Sequence, residues 1–135
     1  MVDTGIYLLI IQLKQNHKIE VGALGELEFK KGFYLYVGSA QNGLEHRINR
    51  HLRDDKKKHW HIDYLLENAE VIDVKVKDGN SNEECLLAEK IGRFAEKIPN
   101  FGSSDCRCDS HLLHHPDNMS KLIEKLKSLY LKDYR

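Results

Sequence analysis

The chain has 135 residues, 41% hydrophobic and 31% charged, with a formal net charge of zero. That describes one ordinary globular domain with enough chain to bury a core, and it excludes a global basic field of the kind that coats nucleic acid indiscriminately. Three cysteines, an odd number with two only one residue apart, exclude a disulfide framework and fit a reducing cytoplasm. Asp3 interrupts the start and no basic leader precedes the apolar run, so no signal peptide is expected. The run "IYLLII" is too short to span a bilayer, so no membrane association is expected.

In chain order, "GIYLLIIQL" is rich in β-branched and aromatic residues and reads as a buried strand. "IEVGALGELEF" reads as a short strand, a glycine-marked turn and a partner strand. In "FYLYVG", Phe33, Leu35 and Val37 alternate with Tyr34 and Tyr36, the period of another strand. Connections this short cannot carry parallel crossovers, so an antiparallel meander is the economical reading.

Helical spacing begins at Gly43, with Leu44, Ile48 and Leu52 as a core stripe. "HWHIDYLLENA" places Ile62, Leu65, Leu66 and Ala69 on one side of a second helix, and "VIDVKVK" alternates as a further strand. "SNEE" at 81–84 has capping-box spacing. Behind it Leu87, Ile91, Phe94, Ala95 and Ile98 form the stripe of a third helix, which Pro99 is expected to end. "NFGSSDCRCDSHLLHHPDN" reads as a loop, with His114 and His115 at the surface. A final amphipathic helix carries Met119, Leu122, Ile123, Leu126, Leu129 and Tyr130. The sum is a single α/β (α+β) domain over residues 1–135, a small, mainly antiparallel sheet flanked by helices. Its core covers about 5–98, with a Cys/His loop over 100–116 and a C-terminal helix over 117–133.

The stretch "YVGSAQNGLEHRINRH", residues 36–51, runs from a strand through a turn into a helix bearing Arg47, Arg50 and His51. At about 100° per residue, Arg47 and His51 project along one border of the Leu44/Ile48/Leu52 stripe, where helix meets sheet. Arg50 is intermediate and Arg53 points away. An arginine fork suits phosphate, and a histidine one turn on exchanges protons near neutrality. The plainer reading is an arginine snorkelling beside the core, a satisfied core histidine, and strand tyrosines with hydroxyls in water. From Leu44 to His59 there are six Lys/Arg against three acids, a run that by default is a solvated helix face.

"GIY" near the amino terminus, then "YVGSA", "RINRH" and "KKKHWH" in order, resembles the GIY-YIG nuclease superfamily over roughly Gly5 to Phe94. "HWHIDYLL" followed by "FGSSDCRCDSHL" is similar to a branch of it catalogued only as a domain of unknown function. The resemblance implies one α/β layer with a three-stranded antiparallel sheet, and one divalent cation, Mg²⁺ or Mn²⁺, held by a glutamate. It places Tyr7 and Tyr36 as the signature tyrosines, Arg47 as the catalytic arginine, and His51 and His59 as further catalytic positions. Arg50, Lys56, Lys57 and Lys58 become nucleic-acid contacts. Glu84 and Glu89 both align with the metal position. Glu84 extends the buried stripe and Glu89 falls opposite it, so Glu84 is the choice, with N-terminal capping as its other role. The family usually shows an asparagine beyond the metal helix, where this chain reads "GSSDC", and Ser103, Ser104 and Asp105 are the residues available there.

What the resemblance implies is a metal-dependent endonuclease, a hydrolase acting on phosphodiester bonds in DNA repair or processing. Its partner is nucleic acid, DNA before RNA, with a protein partner supplying further affinity. Arg47 would stabilise the phosphoryl oxygens, and either Tyr7 or His51 would deprotonate the water. Two alternatives stand beside it. One is a non-catalytic nucleic-acid-binding module of the same fold. The other is a metal- or redox-sensing protein in which Cys106, Cys108 and His111, with Cys85 if the loop returns to it, bind a structural Zn²⁺.

Overall fold

The computed structural model describes residues 5–40, 43–53, 61–99, 101, 110–115, 119–129 and 131–134. Lys56, Lys57, Lys58, His59, Ser103, Ser104, Asp105, Cys106 and Cys108 therefore lie outside the described residues.

Strand β1 (Gly5–Leu13) is apolar at nearly every position because both of its faces are covered. Tyr7, Leu9, Ile11 and Leu13 point to one core with Tyr34, Tyr36, Ile48, Ile62, Leu65 and Phe101. Ile6, Leu8 and Ile10 point to the other with Leu35, Val37, Leu87, Ile91, Leu122 and Leu126. Helices α1 (Leu44–Leu52) and α2 (His61–Leu66) cover the first face. Helices α3 (Ser81–Ile91) and α4 (Met119–Lys127) cover the second.

Three strands were expected in the sheet, and six are present among the described residues, in the order β6-β7-β4-β1-β5-β8. Every pairing in it is antiparallel. At its centre β4 (Gly32–Ala40) and β5 (Glu70–Lys77) flank β1. The meander is corrected in one respect. Among the described residues, strands β2 (His17–Glu20) and β3 (Glu26–Phe29) pair only with each other, and β1 takes β4 as its neighbour.

The additional strands are short. Strand β7 (Leu112–His115) lies inside the expected loop and pairs with β4 from Phe33 to Tyr36. Four residues flanked by polar ones give too little alternation to read as a strand. As a consequence His114 and His115, expected at the surface, are 7% and 3% exposed. His114 tilts against the Tyr34 ring with its Nε2 3.0 Å from the Lys31 carbonyl. Strands β6 (Glu96–Lys97) and β8 (Lys132–Asp133) are two-residue charged edges, which blunt the sheet against pairing with another chain.

Helix boundaries shift accordingly. Helix α3 stops at Ile91, well before Pro99, with Gly92 as its C-cap, and Phe94 and Ala95 reach the core from the turn beyond it. Its N-cap is Asn80, one residue before the start of the expected capping box, and the Asn80 side-chain oxygen accepts from the Asn82 amide at 3.0 Å. Helix α4 is likewise shorter than 117–133, since the chain returns to the sheet as β8. Ile48 of the α1 stripe is fully buried, but Leu52 is 41% exposed. Among the described residues no helix is long and apolar enough to cross a membrane.

Candidate active site at the sheet end

The antiparallel register sets Tyr7 of β1 opposite Gly38 of β4. A Cβ built on Gly38 would lie 2.2 Å from the Tyr7 ring carbon Cζ and 2.3 Å from its hydroxyl. The glycine of "YVG" is thus a matter of space: the ring crosses it to reach helix α1. Tyr7 Oη and His51 Nε2 are 2.8 Å apart, and the two rings are tilted with centroids at 5.3 Å. Tyr36, on the same face two residues before Gly38, meets the same imidazole edge-on at 6.1 Å. Both tyrosines and His51 are buried, so the reading in which the phenols sit in water is set aside.

Gly38→Ala should destabilise the protein by at least about 1–3 kcal/mol, because the ring it displaces is itself packed on all sides. Urea denaturation measures the loss. A variant as stable as the wild type would mean that Tyr7 has room to move, and the placement of its hydroxyl would not be fixed.

Burial pushes the Tyr7 phenol well up; the Arg47 guanidinium beside it opposes the shift and Glu84 adds to it. Burial likewise pushes Tyr36 well up, with Tyr7, Glu84 and Asp63 adding to the rise and Arg47 opposing it. A phenol that keeps its proton is able to donate it to an unprotonated Nε2 of His51.

Arg47 and Glu84 approach from opposite faces of the sheet and meet at one residue. Ser39 is the strand neighbour of Gly38, so its side chain points away from Tyr7 toward α3. Its hydroxyl donates to Glu84 Oε2 at 2.7 Å, and its carbonyl accepts from Arg47 Nη1 at 2.7 Å. Glu84 lies in the first turn of α3, where the helix dipole favours a carboxylate. Glu89 is exposed, as its place on the helix predicts.

The second oxygen of Glu84 is held from the Cys/His segment. His111 Nδ1 lies 2.8 Å from Glu84 Oε1, and His111 Nε2 lies 3.8 Å from Cys85 Sγ. Burial alone would lower the His111 pKa, but hydrogen bonds and charge from Glu84 and Cys85 outweigh it and raise the value above that of an ordinary histidine. A raised folded-state pKa stabilises the fold fully below the unfolded value of about 6.5, and that contribution is lost as pH rises through the folded pKa. The stability advantage of wild type over His111→Gln should therefore shrink across a urea-denaturation series from about pH 5.5 to about pH 9. A difference that stays constant over that window would show that the imidazole is not charged against Glu84.

Arg50, assigned from sequence to nucleic acid, has its fork on Asp63 of α2, with Nη1–Oδ1 at 3.0 Å and Nη2–Oδ2 at 2.9 Å. The pair is mostly buried, with side-chain exposures of 16% for Arg50 and 0% for Asp63. It fastens α2 to α1.

For a cation, the donor set at the sheet end is a single carboxylate. Among the described residues no group of three or more His, Cys, Asp and Glu side chains is arranged to hold a metal ion. Hard cations such as Mg²⁺ and Mn²⁺ use one or two carboxylates and complete their shell with water and substrate phosphate, and both oxygens of Glu84 are already hydrogen-bonded, to Ser39 and His111. A closed tetrahedral zinc site needs four ligands. Of the zinc candidates, His111 is engaged by Glu84 and Cys85, and Cys106 and Cys108 lie outside the described residues.

Three contributions were missed from sequence: Ser39 as the link between Arg47 and Glu84, His111 as a partner of Glu84, and Asp63 as the partner of Arg50. Only Ser39 left a signal. Strand alternation places it on the α3 face, next to the glycine that Tyr7 needs. The family model described as domain of unknown function DUF123 matches residues 6–132, and the chain belongs to that family. No curated protein and no solved structure matches the chain.

Proposed function

We propose that this member of the DUF123 family is a metal-dependent endonuclease that hydrolyses phosphodiester bonds in nucleic acid, on the pattern of the GIY-YIG nucleases. One observation carries the reading: Ser39 holds Arg47 on its carbonyl and Glu84 on its hydroxyl, beside a Tyr7 that is hydrogen-bonded to His51. A phenol, a guanidinium, an imidazole and a carboxylate from three distant points of the chain, β1, α1 and α3, thereby come together at one end of the sheet. The order "GIY", "YVGSA", "RINRH" supports the same reading.

In-line attack of water builds negative charge on the phosphoryl oxygens and on the leaving oxygen. Arg47, oriented by its bond to Ser39, stabilises the equatorial oxygens. Tyr7 and His51 act as one base. Burial makes a free Tyr7 phenolate costly, so Tyr7 takes the proton of the water as it passes its own to His51 Nε2, leaving an imidazolium. A magnesium or manganese ion on Glu84 would polarise the phosphate and stabilise the leaving oxygen.

The purified protein should cut at least one of single-stranded, duplex, flapped and branched substrates with Mg²⁺ or Mn²⁺. All four left whole with either metal overturns the nuclease. One observation favours the second reading, a non-catalytic binding module: both oxygens of Glu84 are hydrogen-bonded within the protein. Binding without cleavage, weakening steeply as salt rises, identifies that module.

A further inference from the structure

His51 has a second environment. A cleft of about 720 Å³ opens between the β1–β2 turn, the end of α1 and the turn from α2 into β5, and His51 is part of its wall. Its volume lies in the range of sites that enclose a small organic molecule. Lys14 and Arg53 supply cations, Gln15 and Asn68 supply carboxamides, and His17 faces the same space as His51. Glu67 and Glu70 also line it.

These side chains match the parts of one nucleotide. A carboxamide carries a donor and an acceptor side by side, as a base edge does. The partly exposed His17 imidazole provides a face on which an unstacked base can rest, while the buried His51 contributes only an edge to the wall. The cations suit a phosphate. Two acids in the same wall disfavour a continuous phosphate track, so the cleft fits one unpaired nucleotide better than the backbone of a duplex. His51 is shared between the cleft wall and the hydrogen bond to Tyr7, while the β1 register puts Lys14 and Gln15 at the opposite end of the strand from Tyr7 and Ser39.

We infer that this cleft takes an unpaired nucleotide of the bound strand, away from the scissile phosphate along the edge of α1, so that the substrate is nucleic acid with single-stranded character. The inference rests on the nuclease reading for its substrate class, and its test does not need cleavage. Lys14, Gln15 and Asn68 are exposed, so their replacement leaves the fold intact. In EDTA, fluorescence anisotropy should show wild type binding a labelled single-stranded oligonucleotide more tightly than its blunt duplex. The triple variant Lys14→Ala/Gln15→Ala/Asn68→Ala should lose at least about tenfold in single-strand affinity, with duplex affinity unchanged. Equal single-strand affinity in the variant and wild type, or a wild type that binds duplex better or binds neither, overturns the inference. Cleavage scored separately keeps the two ideas apart. A wild type that cuts while the variant binds and cuts alike discards the cleft and keeps the nuclease. A wild type that binds single strands through the cleft but cuts nothing discards the nuclease and keeps the cleft.

Discussion

Arg47→Ala should lower the rate of phosphodiester cleavage by about 10²–10³-fold, the loss typical of removing one preorganised donor from a developing oxyanion. The guanidinium is aimed before substrate arrives, because Ser39 holds Nη1 at 2.7 Å. Preorganisation of this kind is what makes the contact stronger at the transition state than in the ground state. Arg47→Lys keeps the charge but loses the planar fork and the bond to Ser39, so it should recover only part of the rate. Glu84→Gln tests the other side of Ser39. The amide keeps an acceptor for a hydrogen bond but removes the charge, so cleavage should fall by a similar factor and the pH dependence of stability attributed to His111 should weaken with it, Cys85 remaining as the other partner. Melting curves separate these effects from unfolding. An Arg47→Ala protein that folds and cuts at the wild-type rate removes the assigned role.

The parts of this site that sequence disclosed are those whose spacing is local. Arg47 and His51 lie one helical turn apart, and Glu84 and Glu89 are separated by position on a single helix, so angular arithmetic sorts them without tertiary knowledge. Tyr7, Tyr36 and Arg47 were paired by the order of short motifs. What stayed hidden depends on contacts between elements far apart in the chain. Asp63 reads as an ordinary polar position of an amphipathic helix, yet its carboxylate is buried against Arg50 from another helix. His111 lies in a segment read as loop, and only the pairing of Val37 with the His111 carbonyl and of β7 with β4 brings it to Glu84. The fold shows the same division. The long strands β1, β4 and β5 announce themselves by composition and alternation. Strands β6 and β8, two residues each, have no period to detect and exist because a neighbour offers a free edge.

Asp63→Ala should destabilise the protein by about 3–5 kcal/mol, the usual cost of breaking a buried ion pair from one side. The penalty arises from what remains. A guanidinium does not escape burial by neutralising, and the Arg50 side chain is 16% exposed, so without Asp63 it is left largely desolvated with these two hydrogen bonds unmade. Replacing both partners by apolar residues, as in Arg50→Met/Asp63→Leu, removes the charge along with its counter-charge and should cost far less than the single change. Denaturant midpoints with unchanged slopes measure both variants, and the single changes Arg50→Met and Asp63→Leu complete the cycle. The double variant also separates two uses of Arg50. If its fork serves the fold, the folded double variant binds oligonucleotide with the wild-type salt slope. If it contacts a phosphate, the slope falls by about one. A single Asp63→Ala variant as stable as wild type would mean that the α1–α2 clamp contributes nothing to holding the helix that carries Arg47 and His51.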